Sequence, residues 1–322
     1  MEINRLNIRT LSMLGECGAF GLALSEFAEQ NENVVALSAD LCKTSGLDRF
    51  RSHFPDRFIN TGIAEQNLIG VSAGLAAGGN IPFATTFSNF FSLRACEQIR
   101  HFLGYMQENV KLVGFASGFS MGLFGTTHYG LEDIAAIRAI NNLTILSPAD
   151  GLETYKCVIE SALFKGPVYI RLSGSINMPI IYKEDYNFEI GKAITLKDGS
   201  DIAIISTGTM VYNSLKAAKI LEEKGLSVKV INMHTLKPLD VTAVKECCSC
   251  KLIVTVEEHS IYGGLGSAVA EYKSKSKIFP PQLILGVKDK FEKAGNYTYM
   301  LDKYGLSHSK IAEQILKFID NL

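Results

Sequence analysis

Neither sign of charge prevails in this 322-residue chain, where 32 Lys and Arg face 33 Asp and Glu. With no basic run anywhere, the sequence lacks the electrostatic footprint of a nucleic-acid binder, and small-molecule substrates are expected instead. No apolar run reaches the ~18 residues that a membrane span needs, and the opening MEINRLNIRT has no signal-peptide core. A cytoplasmic protein with no membrane partner is the expectation. Cysteine is scarce and odd in number. Cys17, Cys42, Cys96, Cys157, Cys247, Cys248 and Cys250 are scattered over a long chain, which fits reduced thiols rather than a disulfide framework. ECCSC at 246–250 contains a CxxC, yet no second pair or neighbouring His completes four zinc ligands. No metal site is therefore assigned to this chain, and these cysteines are expected at a helix end before the next strand. Tryptophan is absent, which excludes nothing.

What is present is an alternation of apolar runs and helical stretches from end to end, the pattern of parallel sheets with crossover helices. VVALSA (34–39), KLVGFAS (111–117), LTILSP (143–148) and PVYIRL (167–172) read as buried strands. Between them LGECGAFGLALSEFAEQ, QNLIGVSAGLAAG, FSLRACEQIRHFLG and DGLETYKCVIESALF carry apolar residues at helical spacing. INMPIIYKEDYNFEIGKA then shows mixed charge and no helical period, so a linker and a boundary are expected within 176–190. DIAIISTG, SVKVINM and KLIVTVEE follow as further strands. The expected fold class is α/β, with two doubly wound, mainly parallel sheet domains at 1–180 and 190–322. A hydrophobic fraction of 47% and a mean hydropathy of +0.14 suit such buried sheets.

Glu65 lies in the turn-rich FPDRFINTGIAEQN, just ahead of a helix of small residues. From the residues alone it is either a solvated helix cap or a carboxyl in a closed pocket. Downstream, Phe87, Phe90 and Phe91 in NIPFATTFSNFFSLRACEQIR supply either a flat wall for an aromatic heterocycle or ordinary core, and core is preferred for Phe91. Asp40, ending a strand, is also a common helix cap. His259 and the glycines of EEHSIYGGLG are left as structural, because a lone Gly-rich turn is weak evidence for phosphate.

GIAEQN, GLAAGG, PFATTF, GTTHYGLEDIAAIRAI and SPAD, in that order, resemble the pyrimidine-binding domain of transketolase and 1-deoxyxylulose-5-phosphate synthase. STGTMV, INMHTLKPLD and VEEHSIYGGLGSAVAE resemble the C-terminal domain of the same family. The resemblance implies thiamine diphosphate as cofactor, with Glu65 hydrogen-bonding N1′ of its aminopyrimidine and so helping to draw the proton from the thiazolium carbon. It implies further that Phe90 and Phe87 flank the pyrimidine and that Asp40 and Leu41 lie near the cofactor. His128 would face the substrate oxygens, as a hydrogen-bond donor or proton shuttle.

The GDG motif and downstream Asn with which the family grips diphosphate and metal are missing; KDGSD at 197–201 is the nearest approach. The resemblance therefore points to the C-terminal subunit of a split transketolase. An N-terminal subunit with the GDG motif would bind Mg2+ (or Ca2+), and the two would assemble as paired heterodimers. Cys17 and Gly174 stand where the family carries Arg residues, and Ala116, Leu123 and Phe124 stand where it carries polar contacts to sugar. An apolar channel leaves hydroxyls unpaired at roughly 1–3 kcal/mol each, so a non-standard ketose or 2-oxoacid donor is expected, its ketol or acyl fragment passing to an aldehyde. Arg49, Arg94, Arg171 and Lys43 read as members of structural ion pairs rather than as ligands. The alternatives are the β subunit of a 2-oxoacid dehydrogenase, distinguished by acyl transfer to a lipoyl carrier, and a non-catalytic subunit that retains the fold.

Overall fold

The computed structural model describes residues 1–291 and 293–321. Its strands are β1 (Val34–Ser38), β2 (Phe58–Asn60), β3 (Ile81–Phe87), β4 (Lys111–Phe115), β5 (Thr144–Leu146), β6 (Val168–Arg171), β7 (Ile194–Lys197), β8 (Ile202–Ser206), β9 (Val228–Asn232), β10 (Thr235–Lys237), β11 (Leu252–Ser260) and β12 (Gln282–Val287). They form a seven-stranded sheet of order β10-β5-β6-β4-β3-β1-β2 and a five-stranded sheet of order β12-β11-β8-β9-β7. All pairings are parallel except β10 with β5 and β7 with β9, both at sheet edges. The α/β class with two doubly wound, mainly parallel sheets is as the sequence implied.

Burial explains why the strands read as unbroken apolar runs. In β1, Val35 and Leu37 enter one core while Val34 and Ala36 enter another, so successive side chains are covered on both faces of the sheet. The first of these cores continues between the sheets, where Ala203, Ile205, Ile231 and Ile253 of the second sheet join it.

Three local features depart from expectation. The first helix begins at Arg5, capped by the Asn4 side chain, and breaks at Gly15 (φ 69, ψ −174). A Cβ there would stand 1.9 Å from the carbonyl oxygen of Ser175, so only glycine lets this turn approach the loop after β6. The stretch read as one helix over 91–104 is instead a series of wide turns, with Ala95 N donating to Phe90 O and Met106 N to His101 O. The linker is anchored: Asp150 Oδ2 accepts from Ile181 N and Tyr182 N, and the Tyr182 and Tyr186 hydroxyls both donate to Glu153. Cys247 and Cys248 lie in a short turn between the Val241–Glu246 helix and β11, as expected.

Candidate active site

β1 and β3 are neighbours in the sheet but not consecutive, since the chain leaves β1 for β2 on one flank and then returns to build β3, β4 and β6 on the other. Loops leaving such a pair diverge and open a crevice at the carboxyl ends of the strands. Asp40 and Leu41 follow β1, Glu65 follows β2, Phe87 ends β3 with Phe90 just beyond, Ala116 follows β4, and Gly174 follows β6. Residues dispersed over the sequence are thus gathered at the carboxyl ends of the strands.

Glu65 is the first residue of the Glu65–Ala77 helix rather than part of the loop before it, where the helix dipole favours a carboxylate. Its side chain is only 7% exposed, against 49% for its partner Arg94, whose Nη1 lies 3.1 Å from Glu65 Oε1. Arg94 Cζ also sits 3.5 Å from the centroid of the Phe90 ring. The sequence assigned Arg94 to a structural ion pair; the structure makes Glu65 its partner.

Phe90 meets Phe87 at 5.2 Å between centroids, and His128 stands 5.7 Å from Phe87 and 5.9 Å from Phe90. Phe124 completes the group at 5.3 Å from His128. His128 Nδ1 is tied to Thr127 Oγ1 at 2.9 Å, and Asn89 Nδ2 holds the Thr127 carbonyl. Phe91 is fully buried core.

Asn60 is a residue that sequence reasoning passed over. Its Oδ1 accepts from Asp40 N and Gly62 N, and its Nδ2 donates to Asp40 Oδ1, each at 3.0 Å. This clamp holds Asp40 at φ 60 and sets the loop that leads to Glu65. The helix-cap alternative for Asp40 does not hold, because its carboxylate serves Asn60 instead. Leu41 is half-buried beside it, with its N donating to Ser38 Oγ. An Asn among turn residues was the available signal.

Cys17, Ala116 and Gly174 come together: a Cβ on Gly174 would lie 3.5 Å from Cys17 Sγ and 3.7 Å from Ala116 N. Phe115, beside Ala116, packs on Phe87 at 4.9 Å, joining this group to the aromatic one. Leu123 is 76% exposed and Phe124 66%, so within this chain neither lines a closed channel. Next to Cys17, the buried Glu16 carboxylate accepts from Ser173 N, Ser173 Oγ and Gly174 N. Burial pushes Glu16 from 4.5 up to about 7, outweighing those hydrogen bonds. Its contribution to stability is fully present below pH 4.5 and is lost as pH rises to about 7, because the unfolded carboxyl ionises first. The loss is about 3 kcal/mol. Glu16→Gln removes this slope, so its melting temperature relative to the parent rises across that range; parallel curves would exclude the account.

Arg171 proves structural, buried against Asp133 at 2.8 Å. Lys43 and Arg49 depart from the ion-pair expectation: both are exposed to solvent and make no ion pair among the described residues. The Gly-rich turn near His259 is also committed internally: Leu265 N and Gly266 N donate to the buried Glu257 carboxylate, while His259 Nε2 accepts from Ala135 N. Those amides serve a carboxylate of the protein itself rather than a phosphate.

The chemistry of these side chains suits a flat, nitrogen-bearing ring, although Arg94 lies in its place here. Glu65 offers a buried carboxylate whose partner among the described residues is a half-exposed cation, and Phe90 offers a face. Among the described residues no group of three or more His, Cys, Asp or Glu is placed to hold a metal ion. Nor is any helix there long and apolar enough to cross a membrane.

Comparison with known proteins follows the same division. Residues 17–177 match the transketolase pyrimidine-binding domain family and residues 191–311 the transketolase C-terminal domain family. The chain is 42% identical to a transketolase C-terminal section of Methanocaldococcus jannaschii, over 92% of this chain and 94% of that one. It is 37% identical to one of the subunits of an apulose-4-phosphate transketolase of Phocaeicola vulgatus, over 94% and 96%. A solved split-gene transketolase, described as an inactive β4 tetramer, superposes with a TM-score of 0.85 at 39% identity, over 94% of this chain and 97% of its own. The chain belongs to the transketolase family, and it carries the pyrimidine-binding and C-terminal domains of that family on one polypeptide.

Proposed function

We propose that this chain is the pyrimidine-binding subunit of a two-component transketolase, cytoplasmic and active only with an N-terminal subunit that carries the GDG motif. Its units are 1–180 and 190–322, assembled as paired heterodimers. The observation that carries the reading is the buried Glu65 carboxylate beside the Phe90 ring, with Phe87 and His128 adjoining. Thiamine diphosphate, when bound, supplies the carbon nucleophile that cleaves the bond beside a ketone, its diphosphate and Mg2+ or Ca2+ being held by the partner. Glu65 binds the pyrimidine nitrogen and exchanges a proton with it. Phe90 and Phe87 orient the ring and exclude water, and Asp40 with Leu41 closes one wall. His128, anchored through Nδ1, keeps Nε2 for an oxygen of the substrate.

The reaction is transfer of a ketol or acyl fragment from a ketose or 2-oxoacid to an aldehyde, in the transketolase class of transferases. Cys17, Ala116 and Gly174 leave one wall of the channel small and without charge, which disfavours the ordinary pentose phosphates. The Phocaeicola relative, named for apulose-4-phosphate, supports such a departure. Donors and acceptors screened against the reconstituted pair test this: turnover is expected with a modified or nucleotide-linked sugar or a less polar ketoacid, and efficient use of xylulose 5-phosphate with ribose 5-phosphate would overturn the substrate assignment.

A further inference from the structure

Phe90 and Arg94 lie four residues apart on one wide turn whose return bond runs from Ala95 N to Phe90 O. That spacing puts both side chains on one face of the turn. The Arg94 guanidinium lies 3.5 Å from the Phe90 ring centroid while its Nη1 reaches Glu65 Oε1 at 3.1 Å. An ordinary structural arginine is fixed by several groups, as Arg171 is by Asp133, the Gly130 carbonyl and the Glu258 carbonyl. Among the described residues the Arg94 side chain has the carboxylate and the ring as its partners. Its backbone carbonyl accepts from Gln66 Nε2.

A guanidinium is flat, carries N–H donors at its edge, and stacks on aromatic faces. An aminopyrimidine has the same three properties, and on the function proposed above it needs the same two partners. The two groups exclude one another where they share the face of Phe90 that Arg94 covers and the Glu65 oxygen that it meets. We propose that Arg94 competes with the pyrimidine of the cofactor for Phe90 and Glu65, so that loading requires the guanidinium to swing aside. With half of its side chain exposed to solvent, Arg94 has room to leave. Its departure transfers Glu65 from one nitrogen donor to another and never leaves that buried carboxylate without one.

The test is calorimetric titration of thiamine diphosphate with Mg2+ into the chain assembled with its diphosphate-binding partner. Arg94→Met keeps the aliphatic length without the donors, and about tenfold tighter cofactor binding is expected, the size of a lost cation–π contact. Arg94→Lys, which keeps the charge on Glu65 but has no flat face to stack, should fall between the two. Melting curves of the same assemblies give a readout independent of catalysis: cofactor should raise the melting temperature of Arg94→Met more than that of the parent. Equal or weaker binding by Arg94→Met would overturn the competition, weaker binding marking Arg94 as a ligand of the cofactor. If the parent assembly binds no thiamine diphosphate at all, the cofactor site itself falls, and this inference with it.

Discussion

With Gln in place of Glu65, proton exchange at the thiazolium carbon of the bound cofactor falls by about 10²- to 10⁴-fold, the range for loss of a positioned acid or base. The amide preserves the shape of the side chain and can still meet Arg94, so the helix that begins at residue 65 should form as before. The pair lost is half-exposed on the Arg94 side, and such pairs contribute only about 0–1 kcal/mol. Activity and stability therefore separate in this variant. Exchange is measured by nuclear magnetic resonance of the cofactor after timed quenching, on the chain assembled with its partner and matched for melting temperature. Full exchange in Glu65→Gln would show that the carboxyl takes no part in activating the cofactor.

Asp133→Ala should show the reverse separation, a large loss of stability from a residue with no part in the chemistry. Asp133 is wholly buried and its Oδ2 accepts from Arg171 Nε at 2.8 Å and from the Tyr169 hydroxyl at 2.7 Å. Without it, the buried Arg171 guanidinium keeps two carbonyl acceptors but loses the carboxylate it is hydrogen-bonded to, leaving only more distant charges such as that of Glu258. Breaking one side of a buried pair costs about 3–5 kcal/mol. Arg171 Nη2 reaches the carbonyls of Gly130 and Glu258, so the damage extends to the loop that carries His128 and to the strand β11 of the second sheet. Urea denaturation followed by circular dichroism gives the size of the loss. Asp133→Asn, which keeps an acceptor for Tyr169, should lose less. A midpoint within error of the parent in Asp133→Ala would mean that Arg171 is held by its carbonyl partners alone.

How far the sequence reached depends on how local each feature is. Strands buried on both faces announce themselves as apolar runs, which is why β1, β4, β5, β6, β8, β9 and β11 were legible. The short β2, β7 and β10 were not, since three or four residues with polar members carry little periodicity. β3 was hidden for a different reason: Thr85 and Thr86 interrupt its apolar run, and its phenylalanines drew attention as a ring wall instead. In the site, resemblance singled out Glu65, Phe87, Phe90 and His128, and the fold brings them together at the carboxyl ends of the strands. It gave no warning of Arg94 over Phe90, of Asn60 clamping Asp40, or of Glu16 behind Gly174. Asn60 and Asp40 are 20 positions apart and Glu16 and Ser173 are 157 apart, too far for the spacing of a single chain to encode; Arg94 is only four residues from Phe90, but the wide turn that brings them together was read as an ordinary helix.

The strand β10 bears on how this polypeptide can be divided. It comes from the second half of the sequence yet pairs with β5 at the edge of the first sheet, while Asn232, just before it, donates to Glu153 of the first half. Two families are recognisable along the chain, but the hydrogen bonds are stitched across their border. A fragment cut at the linker would bare the main-chain donors and acceptors of β5, an invitation to pair with another molecule, and would strip Glu153 of a buried donor. For anyone building chimaeras, the two domains form one exchangeable part, and a graft that replaces the first without β10 inherits an open seam.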